Sequence, residues 1–151
     1  VDPPAAGLRE LRRVTAPGGP LLVSAYGPDD GHPVRPAVEE ALAAVGYRPP
    51  DWYTAMRTGP AAELESADGM LAAWVAAGGT PRADVVDEIE VVFPELDAAA
   101  LVEWRLGQAH TAPFVARLAP ARRAALVADA LACVGDAPVL VRRVVLLRAV
   151  A

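Results

Sequence analysis

Four side chains carry the chemistry that this sequence offers. His110 follows Trp104 and precedes Pro113. An imidazole with an ordinary pKa near neutrality can take the proton from a substrate hydroxyl as a general base. The competing reading is a solvated or hydrogen-bonded histidine at a helix end. Tyr26 closes the apolar run LLVSAY, at the carboxyl edge where open α/β sheets bind their ligands. Plain packing is the alternative there. Trp52 and Tyr53 stand together in the proline-flanked segment Tyr47 to Pro60, as a lid over a pocket or as packing over a sheet edge.

The remaining reactive groups point away from metal and thiol chemistry. His32 and His110 lie too far apart for a ligand pair, and the single cysteine, Cys133, excludes an internal disulfide and a cysteine-rich metal site. Cys133 has no basic neighbour in sequence and reads as an inert packed thiol. Arg142 and Arg143 fall on opposite faces of a strand and are expected to meet carboxylates among Asp84, Asp87, Glu88 and Glu90.

The elements that must position these groups follow from pattern and composition. Of the 151 residues 54% are hydrophobic and 22% charged, a globular balance. The net charge of −5 disfavours a nucleic-acid groove or an anionic membrane surface. All 14 basic residues are arginine and there are 15 prolines, which reads as GC-rich bacterial codon bias. With no long apolar run and no leader pattern at the N-terminus, neither a membrane span nor a secretory signal is expected, and the expected location is cytoplasmic.

Asp2-Pro3-Pro4 opens a helix with an apolar stripe Leu8, Leu11, Val14 and with Arg9, Arg12 and Arg13 turned to solvent. Pro17 stops it, Gly18-Gly19 turns the corner, and Leu21 to Tyr26 follows as a strand covered on both faces. Val38, Ala41, Leu42 and Val45 mark a second helix closed by Gly46, after which Tyr47 to Pro60 reads as an ordered aromatic loop. A third helix starts near Ala61 or at a Ser66 cap and carries Leu64, Ala67, Leu71, Trp74 and Val75, with Gly69 costing about 1 kcal/mol against alanine. Val85 to Phe93 is a strand. Asp97 caps a fourth helix with Leu101, Trp104 and Leu106, and Pro120 opens a fifth with Leu126, Val127, Ala130, Leu131 and Val134. Val139 to Val150 is a final long strand. Alternating helices and strands predict a layered α/β domain over residues 1–151.

The segment LRELRRVTAPGGPLLVSAY resembles the helix, Pro-Gly-Gly corner and fifth strand of class I S-adenosylmethionine-dependent methyltransferases, in the small-molecule branch. Glu10, Arg13, Val14, Pro17, Gly18 and Gly19 match that pattern, and Ala16 departs from it. LLAAWVAAGGTPRADVVDEIEVVF is similar to the family's next helix, turn and sixth strand, with Gly79 where an aromatic is usual. LVEWRLGQAHTAPFVARL and the last strand are similar to the substrate-side helices and seventh strand.

The resemblance implies a fold class: the C-terminal part of a Rossmann-like methyltransferase sheet with additional helices on the substrate side. It implies methyl transfer to a small, apolar metabolite. It also implies that the S-adenosylmethionine site lies mostly outside this chain, because no G-x-G-x-G loop occurs. The chain is then expected to be incomplete at its N-terminus and inactive alone. The family's direct displacement rests on alignment of the reacting groups, so no universal catalytic residue is expected. Tyr26, Trp52, Tyr53 and His110 are expected to converge on a substrate pocket. Asp2-Pro3-Pro4 invites comparison with the Asp-Pro-Pro-aromatic motif of nucleic-acid amino-methyltransferases, but Ala5 cannot stack on a base, and a helix cap is the better reading. The alternative from another class is a non-catalytic interaction protein that keeps the half-fold and docks through its sheet edge. The family's strand order predicts that the last strand lies between the two before it and pairs antiparallel with Leu21 to Tyr26.

Overall fold

A computed structural model describes residues 3–28, 31–80, 85–136 and 138–151. In chain order the elements are α1 (Pro4–Val14), β1 (Pro20–Tyr26), α2 (Val34–Ala44), α3 (Asp51–Met56), a π-helical turn (Arg57–Ala61), α4 (Ala67–Ala76), β2 (Val85–Phe93), α5 (Ala98–Leu106), α6 (Ala112–Val115), α7 (Pro120–Val134) and β3 (Leu140–Val150). The chain is mixed α/β, with seven α-helices and a three-stranded antiparallel sheet among the described residues. It divides into two compact units, a sheet unit (residues 1–30, 54–91 and 142–151) and a helical unit (residues 31–53 and 92–141).

In the sheet unit the strand order is β1-β3-β2, as expected. The β1–β3 ladder runs from Pro20 opposite Val150 to Tyr26 opposite Val144. Gly18, at φ 76°, takes the left-handed turn that a side chain resists, and this turn carries the chain from α1 into β1. The corner is tied to the chain end: Gly18 N–H donates to Ala151 O and Ala151 N–H donates to Gly19 O, each at 3.0 Å.

Leu21 on β1 and Val145, Leu147 and Ala149 on β3 share one face, and they form a core with Leu8 of α1 and Met70, Ala73 and Trp74 of α4. Both helices pack on that same face. The expectation that β1 is covered on both faces is therefore corrected: Leu22, Ser24 and Tyr26 are exposed.

Contacts between α1 and α4 correct two further expectations. Of the stripe Leu8, Leu11 and Val14 only Leu8 is buried. Arg12 is half-buried against the end of α4 rather than turned to solvent, donating to Ala77 O (3.0 Å). Arg9 and Arg13 are exposed as expected, and Arg9 donates to Ala76 O (3.3 Å). Cations at a helix C-terminus meet both orphan carbonyls and the negative end of the dipole. The Arg12 guanidinium also stands 5.2 Å from the Trp74 ring centre. At the other end of α4, Ser66 accepts from Gly69 N–H (3.2 Å), the expected cap, and Glu88 of β2 accepts from Ala67 N–H (3.1 Å). Asp2, expected to cap α1, lies outside the described residues, and Pro3 occupies the cap position. Asp87 pairs with Arg148 at 2.6 Å rather than with Arg142 or Arg143, and Asp84 lies outside the described residues.

In the helical unit α2, α5 and α7 pack on one another around Val34, Val38, Leu42, Leu101, Val102, Leu106, Leu126 and Ala130. Asp97 caps α5 as expected, accepting from Ala100 N–H at 2.8 Å. Trp104 does not join the core; it is exposed, and Val102 takes the buried place. Cys133 is exposed, not packed, because the buried stripe of α7 is Leu126, Ala130 and Val134 and residue 133 falls beside it. The aromatic segment is not wholly loop either. Trp52 and Tyr53 sit on α3, which begins just after Pro49-Pro50, where proline suits a helix start.

Candidate functional site

The helical unit builds its site around a corner between α5 and α6. Gly107 ends α5, and the chain turns through Gln108, Ala109 and His110 into α6. Thr111 holds this turn. Its buried hydroxyl lies 3.0 Å from Arg105 O, 3.0 Å from Leu106 O and 3.1 Å from Gln108 O, sharing one proton among carbonyls at the end of α5 and in the turn that follows. Tyr47, just beyond α2, donates its hydroxyl to His110 O at 2.9 Å. Its ring meets Phe114 edge-on, with centroids 5.2 Å apart. Burial, and then the neighbouring Tyr53, push the Tyr47 hydroxyl above its usual pKa, so it stays a donor.

His110 is thus positioned through its backbone, while its ring is held by Tyr53, stacked at 3.6 Å between centroids. Trp52 meets Tyr53 edge-on at 5.9 Å. Among the described residues nothing hydrogen-bonds either imidazole nitrogen of His110. Burial first, and then the positive charge of Arg105, hold its pKa below the usual histidine value. Arg35 pushes the same way and Glu39 opposes. Glu39 is itself engaged by Arg35 at 2.9 Å and Arg105 at 3.7 Å. At neutral pH the ring is therefore uncharged, with an open lone pair, the state a general base requires.

Beside His110 a cleft of about 270 Å³ is lined by Tyr47, Arg48, Pro50, Trp52, Ala109, His110, Pro113, Phe114 and Arg117. Of the four residues expected to form a site, the structure brings Trp52, Tyr53 and His110 together within the helical unit. Tyr26 belongs to the sheet unit, at the end of β1, where the Arg142 guanidinium stands 5.1 Å from its ring centre. Sequence reasoning missed Tyr47, Arg48, Thr111 and Arg117. The sequence marker for Tyr47 and Arg48 was the dipeptide directly after Gly46; Thr111 and Arg117 carried none.

His32, the other histidine, is structural. Its Nδ1 accepts from Val34 N–H (3.2 Å) at the start of α2, and its Nε2 lies 2.8 Å from Pro138 O, which fixes the Nε2–H tautomer. No group of three or more metal-ligating side chains occurs among the described residues. No helix there is long and apolar enough to cross a membrane. Searches against protein-family models and against curated proteins found no match to this chain.

Proposed function

We propose that this chain is the substrate-side part of a class I S-adenosylmethionine-dependent methyltransferase that acts on a small metabolite. The observation that supports this reading is the strand order. The last strand, β3, lies between β1 and β2 and runs antiparallel to β1, directly behind the Pro-Gly-Gly corner. That is the order the family resemblance implies for a Rossmann-like sheet.

The described residues do not themselves fit the cofactor. Gly18 N–H is spent on Ala151 O and Gly19 N–H on Ala16 O, so the glycine pair offers no free donors to an anionic group. None of the three strands ends in a carboxylate to take a ribose. What this chain supplies on the proposed reading is the acceptor side: a neutral His110 to take a proton, and aromatic walls to orient the substrate. The reading frame upstream of the Val1 codon tests the reading. A strand, a G-x-G-x-G loop and a helix are expected there, and the longer product should bind S-adenosylmethionine with micromolar affinity. The 151 residues alone should bind it weakly or not at all. A frame lacking that segment, or micromolar binding by the 151 residues, overturns the reading.

A second reading, a non-catalytic interaction module, is favoured by the open face of the sheet. Leu22 is 70% exposed, Tyr26 63% and Ile89 42%, and the outer edge of β1 has no strand partner among the described residues. A start codon at the Val1 position would favour it.

A further inference from the structure

The cleft beside His110 carries a charge pattern that an apolar acceptor does not account for. Arg48 and Arg117 both line it, and no carboxylate does. Of the other arginines of this unit, Arg35 and Arg105 pair with Glu39 and Arg123 pairs with Glu103, while Arg122 does not line the cleft. Arg48 and Arg117 make no ion pair or hydrogen bond with any described residue, and Asp51, the nearest carboxylate in sequence, pairs with neither. Two uncompensated guanidinium groups at one opening are conspicuous in a chain of net charge −5. Guanidinium matches a carboxylate in shape and charge, and its planar fork favours bidentate contact.

The walls are aromatic: Tyr47, Trp52 and Phe114, with His110 beside them. Tyr47 and Phe114 are already locked edge-to-face, so that wall is pre-formed rather than assembled on binding. The volume, about 270 Å³, is near the lower end for small-molecule clefts and suits one ring with short substituents.

We infer that this cleft takes a small aromatic carboxylic acid, its ring against Tyr47, Trp52 and Phe114, its carboxylate gripped by Arg48 and Arg117, and a ring hydroxyl turned to His110. Only the fate of that hydroxyl rests on the methyltransferase reading; binding does not. The acceptor is then an anion with an apolar body, not a wholly apolar metabolite.

The test uses the 151-residue chain and three probes: 4-hydroxybenzoate, phenol and inorganic phosphate. The readouts are titration calorimetry and the indole N–H resonance of Trp52, assigned with Trp52→Phe. The expected result is saturable binding of 4-hydroxybenzoate that moves the Trp52 signal, about tenfold tighter than phenol, with phosphate weaker than either. Arg48→Gln and Arg117→Gln should each weaken 4-hydroxybenzoate severalfold and leave phenol unchanged. Both arginines are exposed, so neither substitution threatens the fold. Equal binding of phenol and the acid overturns the inference, as does a double variant that binds the acid undiminished. Phosphate binding as tight as the acid, or no saturation by about 10 mM acid, overturns it as well. Any of these leaves the methyltransferase reading standing, since that is decided by the upstream frame and the cofactor titration.

Discussion

The phenol ring of Tyr53 lies flat on the imidazole of His110, with centroids 3.6 Å apart and planes within 8°. The stack covers one face of the histidine and leaves its nitrogens at the edge, where a ligand can reach them. It also contributes to the burial that lowers the His110 pKa, together with the charges of Arg105 and Arg35 and against that of Glu39.

Because that pKa is depressed on folding, the unfolded chain binds more protons at mildly acid pH. The stability linked to His110 is therefore full above about pH 6.5 and is lost as pH falls through the folded value. An NMR titration of the His110 ring should give a midpoint below the usual 6.5. Glu39→Gln, which removes the opposing anion, should lower it further, and Tyr53→Ala, which rehydrates the ring, should raise it. A wild-type midpoint at or above the usual value would refute the assignment.

Thr111→Val keeps shape and removes the hydroxyl shared among the carbonyls of Arg105, Leu106 and Gln108. It should destabilise the chain by about 1–3 kcal/mol in urea unfolding. Thr111→Ser should restore most of the loss. A neutral Thr111→Val would mean that the α5–α6 corner holds without its cap.

Gly79 stands against Trp74, and a Cβ there would clash with the indole ring. Since Trp74 is buried, Gly79→Ala should cost about 1–3 kcal/mol and alter the near-ultraviolet dichroism of that tryptophan. Gly7, inside α1 with open space around it, is the control. Gly7→Ala should stabilise by roughly 0.5–1 kcal/mol. Equal responses at the two sites would contradict the packing described.

The open sheet face makes a colloidal prediction. Leu22→Ser with Tyr26→Ser should reduce self-association in size-exclusion chromatography while changing unfolding stability by no more than about 0.5 kcal/mol, because both side chains are exposed. A large stability loss would show that the face is covered in solution.

In the longer methyltransferase that the proposal requires, His110→Ala should lower kcat about 10²-fold, and the deficit should shrink at high pH, where the acceptor hydroxyl ionises unaided. A change confined to KM, with an unmoved pH profile, would make His110 a wall of the cleft and not a base.

Local signals were legible wherever a residue acts on its own neighbours. The Ser66 and Asp97 caps, the stop at Pro17, the turn at Gly18 and the stripe Leu126, Ala130, Val134 are short-range effects of backbone donors, ring closure, positive φ and helical period. The Pro-Asp start of α3 was equally local but was outweighed by the density of prolines around it. The strand order was expected from the family resemblance, not from pattern, since periodicity says nothing about which strands pair.

For the site, the sequence by itself determined its ingredients: one histidine near neutrality ahead of a proline, and an adjacent aromatic pair. Only the tertiary structure decided what they do together. Residues 53 and 110 are brought into ring contact by packing over long chain separations, and the same packing sets Arg105 and Arg35 near His110 and leaves Arg48 and Arg117 without counter-charges. Whether a face is covered was likewise decided in three dimensions. β1 is apolar on both sides, yet α1 and α4 pack on one, because burial depends on which surfaces meet and not on the hydrophobicity of one strand.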